Sequence, residues 1–159
     1  MAHFASVRNK VIRFSNLDDL LLKAKELLGE DLYSLFCRDI RIRIVNTCHI
    51  KTLGGMYVKN VIYIYDFYLE TFFHELGHHV FRHPKFSRFF HFEYLWNSFY
   101  HYQRDQKIFL GHQAKCSLEE FFAQVFSVFF TNHELLMDYD ERLYRELVSA
   151  IEKILSNYS

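Results

Sequence analysis

Proline occurs once in this chain and glycine five times among 159 residues. With so few turn-formers there is no Pro/Gly/Ser-rich linker, and no low-complexity run or fixed-period repeat divides the sequence. A single domain over residues 1–159 is the simplest reading, since half the residues are hydrophobic and can fill one core. Cysteine is also scarce. Cys37, Cys48 and Cys116 are odd in number and widely spaced, which argues against a disulfide framework and predicts reduced, buried thiols. No C-x-x-C pair is present, so any metal must be held by other residues.

Excess charge is missing as well: 19 basic and 19 acidic residues give a formal net charge of zero. Without a basic field, nucleic acid is not an expected partner. Residues 1–14 never build the apolar core of a secretory signal, and no segment approaches the roughly 18 apolar residues of a membrane span. The expectation is a soluble, cytoplasmic product, with secretion by another route left open. Oligomeric state is not readable.

What the chain has in plenty is aromatic residues and histidine, with 18 Phe, 11 Tyr and 10 His. The informative histidines are in His74-Glu75-Leu76-Gly77-His78, an H-E-x-x-H pattern. On a helix, residues four apart share a face, so His74 and His78 can bind one ion while Glu75 lies beside it. Neutral imidazoles suit Zn²⁺, and an adjacent carboxylate can take a proton from the water such an ion activates. Phe72, Phe73, Leu76 and Val80 add an apolar stripe, which makes this a buried helix from about Tyr68 to Phe81. Mid-helix Gly77 costs about 1 kcal/mol against alanine, which suggests the close passage of another backbone.

Neighbouring histidines weigh less. His79 points away from a site shared by His74 and His78, and reads as solvated or hydrogen-bonded. His83 would be a tempting third ligand. The extended metzincin pattern, however, needs glycine at 81 and histidine at 84, where this chain has Phe81 and Pro84.

Around the motif, Ser15 to Gly29 reads as an amphipathic helix, capped at Ser15-Asn16, with Asp18 and Asp19 in its first turn. Alternation over 39–45 predicts a strand with Ile40, Ile42 and Ile44 on one side and Arg41 and Arg43 facing solvent. Two further strands, Leu53 to Val58 and Val61 to Tyr65, are joined by Lys59-Asn60 at hairpin spacing. Gly54-Gly55 suits either an edge approached by an extended substrate or a plain turn. The aromatic stretch 87–104 is mostly core, in which His91 and His101 need no function. Residues 105–115 read as a loop, and 139–158 as a packing helix with Leu143, Leu147, Ile151, Ile154 and Leu155 on one face.

Ser117 with Glu120 forms a capping-box pattern opening an apolar helix through Phe130. Glutamates in a first turn are ordinarily surface acids. A zinc hydrolase, however, requires a third protein ligand and an open fourth position, and a later glutamate can supply it, as in the His₂Glu site of thermolysin.

The pairing of His74-Glu75-Leu76-Gly77-His78 with Glu120-Phe121-Phe122-Ala123 resembles the gluzincin-like zincin metallopeptidases of the lethal-factor and Pro-Pro endopeptidase group, over roughly residues 54–130. That resemblance implies an α+β zincin fold, a small twisted, mostly antiparallel sheet packed on helices. It implies a zinc metalloendopeptidase with His74, His78 and Glu120 as metal ligands and Glu75 as catalytic general base, acting on a peptide or protein substrate. Two positions depart from the group: its glutamate after Phe-Phe-Ala is Gln124 here, and its oxyanion tyrosine falls at Gln113. His112 or a tyrosine of the aromatic stretch would have to substitute. The stretch from His74 to His79 also resembles the ImmA/IrrE-type regulatory metallopeptidases, which cleave a repressor but carry their third ligand nearer the motif. A zinc-bound, non-catalytic interaction module is the other alternative.

Overall fold

The computed structural model describes residues 12–45, 54–106 and 110–158. Among them are eight α-helices and three short strands, an α+β arrangement. Cys48 and Leu53, and the expectations for residues 1–11 and 107–109, lie outside the described residues.

Helix α1 (Leu17–Leu28) begins where expected: the Asn16 side chain accepts from Asp19 N, and Leu20, Ala24 and Leu28 form its buried stripe. Gly29, at φ 82°, ends α1 and opens α2 (Glu30–Cys37), whose Leu32 and Phe36 join the core. A left-handed φ is cheap for glycine, so the chain turns sharply between two helices without a loop.

Strands β1 (Arg41–Ile44), β2 (Gly55–Val58) and β3 (Val61–Ile64) form one sheet in the order β1-β3-β2. Lys59 and Asn60 have φ of 47° and 65°, the paired positive values of a two-residue type I′ hairpin turn. The β2–β3 pair is antiparallel, but β1 runs parallel to β3, so the sheet is mixed rather than mostly antiparallel. β3 takes the centre because its Ile62 and Ile64 are fully buried. Accordingly β1 pairs with the far side of β3 instead of extending a meander. Arg41 and Arg43 face solvent as expected, while Ile44, at the end of this outer strand, is 60% exposed.

Helix α3 (Leu69–Arg82) carries the H-E-x-x-H motif and is buried continuously from Phe72 to Val80. Pro84 does follow its end, and also opens a one-turn helix, α4 (Pro84–Ser87), at the first position, where a missing N–H is harmless. Helix α5 (Phe92–Arg104) divides its aromatics: Phe99 and Tyr102 are core, while Trp96 and Tyr100 are exposed and stacked on each other. His91 and His101 are exposed. A 3₁₀ turn (Gln113–Lys115) interrupts the expected loop. Cys116, just after it, is exposed rather than buried, and Cys37 is half-buried; both are free thiols.

The second informative stretch forms α6 (Leu118–Thr131), followed by α7 (His133–Tyr139) and α8 (Glu141–Tyr158). Leu143, Leu147, Ile151 and Ile154 are the buried face of α8, with Leu155 partly buried beside them. Buried side chains from all these helices and from β2 and β3 join in a single hydrophobic cluster. No helix among the described residues is long and apolar enough to cross a membrane.

Candidate metal centre

The centre depends on how closely α3 and α6 cross. A Cβ added at Gly77 would lie 2.9 Å from Ala123 Cα and 3.2 Å from Ala123 O, closer than real side chains come. The missing side chain therefore lets the α6 backbone pass directly over the motif. Glu120 lies three residues before Ala123, on the turn that faces His74 and His78.

Local capping prepares that turn. Ser117 Oγ accepts from Glu120 N at 3.1 Å, as a helix N-cap should. The reciprocal half of a capping box would send the Glu120 side chain back to the Ser117 N–H. Instead its carboxylate bonds the histidines: Oε2 lies 3.1 Å from His74 Nε2, and Oε1 lies 3.2 Å from His78 Nε2.

The two imidazole Nε2 atoms are 3.2 Å apart. Their Nδ1 atoms are committed elsewhere, that of His74 to Gln124 Oε1 at 2.8 Å and that of His78 to Glu119 Oε2 at 2.5 Å. Both outer partners are acceptors, so each Nδ1 carries the proton and each Nε2 presents a lone pair inward. Two lone pairs and a carboxylate thus converge on one point. Ligands about 2.0–2.1 Å from a four-coordinate ion sit roughly 3.3 Å from one another, and the separations here are 3.1–3.2 Å. The donor set and its spacing fit a metal ion, and His74, His78 and Glu120 form a group that could hold one.

Electrostatics follow from this crowding. Burial alone would raise the Glu120 pKa, but hydrogen bonds from His74 and His78 outweigh it and bring it to about 2. For His78, burial disfavours the imidazolium, yet Glu120, Glu75 and Glu119 together raise its pKa. Glu75 is buried beside the pair, and burial pushes its carboxyl upward against the lowering influence of the histidines. Its Cγ lies 3.4 Å from the Cβ position of Gly55 on β2, which places the strand directly against the site.

Other residues singled out in the sequence lie elsewhere. His79 is buried and bonded through Nδ1 to the Tyr57 hydroxyl at 2.8 Å, so it is not solvated. Burial first, then His83 and Lys85, lower its pKa to about 4. His83 Nε2 bonds Asn60 Oδ1 at 2.8 Å, in the hairpin turn, and is not grouped with the metal-ligating residues. Gly54, at φ 87°, makes the turn into β2, while a side chain at Gly55 would collide with Thr71 Cγ2 at 2.9 Å. Both glycines are thus explained by the fold itself. Of the tyrosines considered for the oxyanion, Tyr94 donates to Asp140 and Tyr102 to the Gly111 carbonyl. His112 is exposed.

Sequence reasoning missed Glu119 and Arg82 as parts of the site. Arg82 Nε and Nη2 lie 2.9 and 2.8 Å from the Glu119 oxygen that meets His78. The signal was the four-residue stripe His74, His78, Arg82 on one helix. Gln124 was noted only as a departure, although it follows Glu120 by one helical turn.

Compared with known proteins, the chain matches no family model, no curated protein and no solved structure. The class defined by fold and site is therefore an α+β protein with a two-histidine, one-glutamate group fit to hold a metal ion.

Proposed function

We propose that the chain is a zinc-dependent metallopeptidase of the zincin type. The observation that carries this reading is the convergence of His74, His78 and Glu120 with a buried carboxylate, Glu75, beside them. A set of two imidazoles and one carboxylate with room for a further ligand is the donor combination of catalytic zinc sites. Bound there, zinc supplies a Lewis acid that activates water and polarises a carbonyl.

The residues then divide the work. His74, His78 and Glu120 hold the ion, with the rings aimed by their Nδ1 contacts. A Glu75 carboxylate oxygen takes the proton from the attacking water and delivers it to the departing amine nitrogen as the peptide C–N bond breaks. Burial raises the Glu75 pKa, which makes the carboxylate a stronger base than an exposed glutamate.

The hairpin register supports the substrate path. Val58 and Val61 flank the two-residue turn, and Tyr65 N donates to Gly54 O at 2.9 Å. In an antiparallel ladder, pairs that exchange hydrogen bonds alternate with pairs that do not. Gly55 and Tyr57 therefore aim their backbone N–H and C=O groups away from β3, along the outer side of β2. An extended peptide lying there would add a strand beside Glu75.

The test is Glu75→Gln. Hydrolysis of a peptide library by the zinc-loaded chain should vanish in this variant while zinc is retained. Undetectable hydrolysis by the unaltered, zinc-loaded chain would contradict the peptidase reading and favour the non-catalytic zinc module, for which the Gln113 departure speaks. The ImmA/IrrE-type alternative is less well supported, because the third candidate ligand comes from the distant α6.

A further inference from the structure

We propose that Glu119 and Arg82 are a positioning pair for His78, fixing which ring nitrogen is free for metal and how the ring is aimed. This rests on the zinc-site reading above. The two histidines are supported unequally. His74 Nδ1 meets a neutral amide, Gln124 Oε1, whereas His78 Nδ1 meets a carboxylate at 2.5 Å. The same Glu119 oxygen also receives Arg82 Nε at 2.9 Å and Nη2 at 2.8 Å, so three N–H donors converge on one atom.

A solvent-exposed Arg–Glu pair needs no histidine, and such pairs contribute little to stability. Here the pair brackets the centre from both helices. Arg82 stands one turn beyond His78 on α3, and Glu119 immediately precedes Glu120 on α6. The Arg82 guanidinium is itself seated 5.4 Å from the centroid of the Tyr57 ring. Held by this fork, Glu119 cannot swing toward the ion and stays on Nδ1. A carboxylate on the outer nitrogen orients the imidazole and strengthens its inner lone pair as a donor. A lysine at position 82 would supply charge without the planar fork.

The test measures zinc dissociation constants by chelator competition and the absorption spectrum of the Co²⁺-loaded chain, alongside the melting temperature without metal. Glu119→Ala should weaken zinc by about 10–100-fold and shift the cobalt bands. Glu119→Gln should fall between Glu119→Ala and the unaltered chain, because it keeps an acceptor for Nδ1. Arg82→Met and Arg82→Lys should both weaken zinc, in the same direction and by less than Glu119→Ala. Unchanged affinity and cobalt spectra in all four variants would overturn the pair's role. So would a loss that appears only with a matching fall in metal-free melting temperature. Absence of zinc binding by the unaltered chain would instead overturn the metal site on which the pair depends.

Discussion

Helix α3 carries two histidine pairs with identical spacing, and they have opposite surroundings. His74 and His78 have ring centroids 4.9 Å apart, and His79 and His83 have theirs 4.2 Å apart. Proximity alone would favour the second pair as a metal site. Its polar contacts are neutral, however: His79 bonds Tyr57 and His83 bonds Asn60. These contacts tie the β2–β3 turn to the end of α3, and His79 is pushed down to about 4, a neutral core histidine. The first pair meets Glu120 on the inside and Glu119 on the outside. What makes two histidines a metal centre is thus the third helix-borne ligand and the acceptors that fix the outer nitrogens.

The sharpest way to separate the pairs is through chemistry. Glu75→Gln should lower peptide hydrolysis by about 10²–10⁴-fold, the usual contribution of a general base, with zinc content unchanged. Next in size, Glu120→Ala should weaken zinc by on the order of 10²–10³-fold. That is one ligand's portion of the roughly 10–16 kcal/mol gained by structural zinc sites. Chelator competition would read it directly.

Gly77→Ala tests the crossing that brings the first pair its third ligand. Alanine gains about 1 kcal/mol in helix propensity, but its Cβ meets the Ala123 backbone at 2.9 Å. Overpacking of this kind costs about 1–3 kcal/mol. The expected result is a lower melting temperature together with weakened zinc binding, since α6 must shift to relieve the clash. A more stable variant with unaltered zinc affinity would show that the close crossing is not what seats Glu120.

The smallest effect belongs to the second pair. His83→Ala removes one bond to Asn60 and should cost about 0.5–1.5 kcal/mol by denaturant titration. Zinc content should not move. A fall in zinc with this variant would break the distinction between the two pairs.

How much of this could be read from residues alone varies with the range of the interaction. The motif helix, its apolar stripe and the Lys59-Asn60 hairpin depend on neighbours a few positions away, and all three are present. Gly77 was legible as a close backbone approach, though not which backbone. Helix α2 went unread because α1 was taken to stop at Gly29, with no linker to mark a new start. The sheet order was out of reach, since pairing β1 with β3 is a choice among distant partners. Glu119 looks like an ordinary first-turn acid until α6 is laid against α3. The capping box failed in the informative direction: Ser117 caps, but Glu120 leaves the cap for the histidines. Local rules tend to be broken where a residue serves a site.

The central claim is that His74, His78 and Glu120 form a real metal centre. The most direct measurement is zinc per chain in protein purified without added metal, for the unaltered chain and Glu120→Ala in parallel. Near-stoichiometric zinc in the first and little in the second is the expected result. An unaltered chain that holds no zinc, even after zinc is offered and the unbound ion removed by gel filtration, would contradict it and return both histidine pairs to the core.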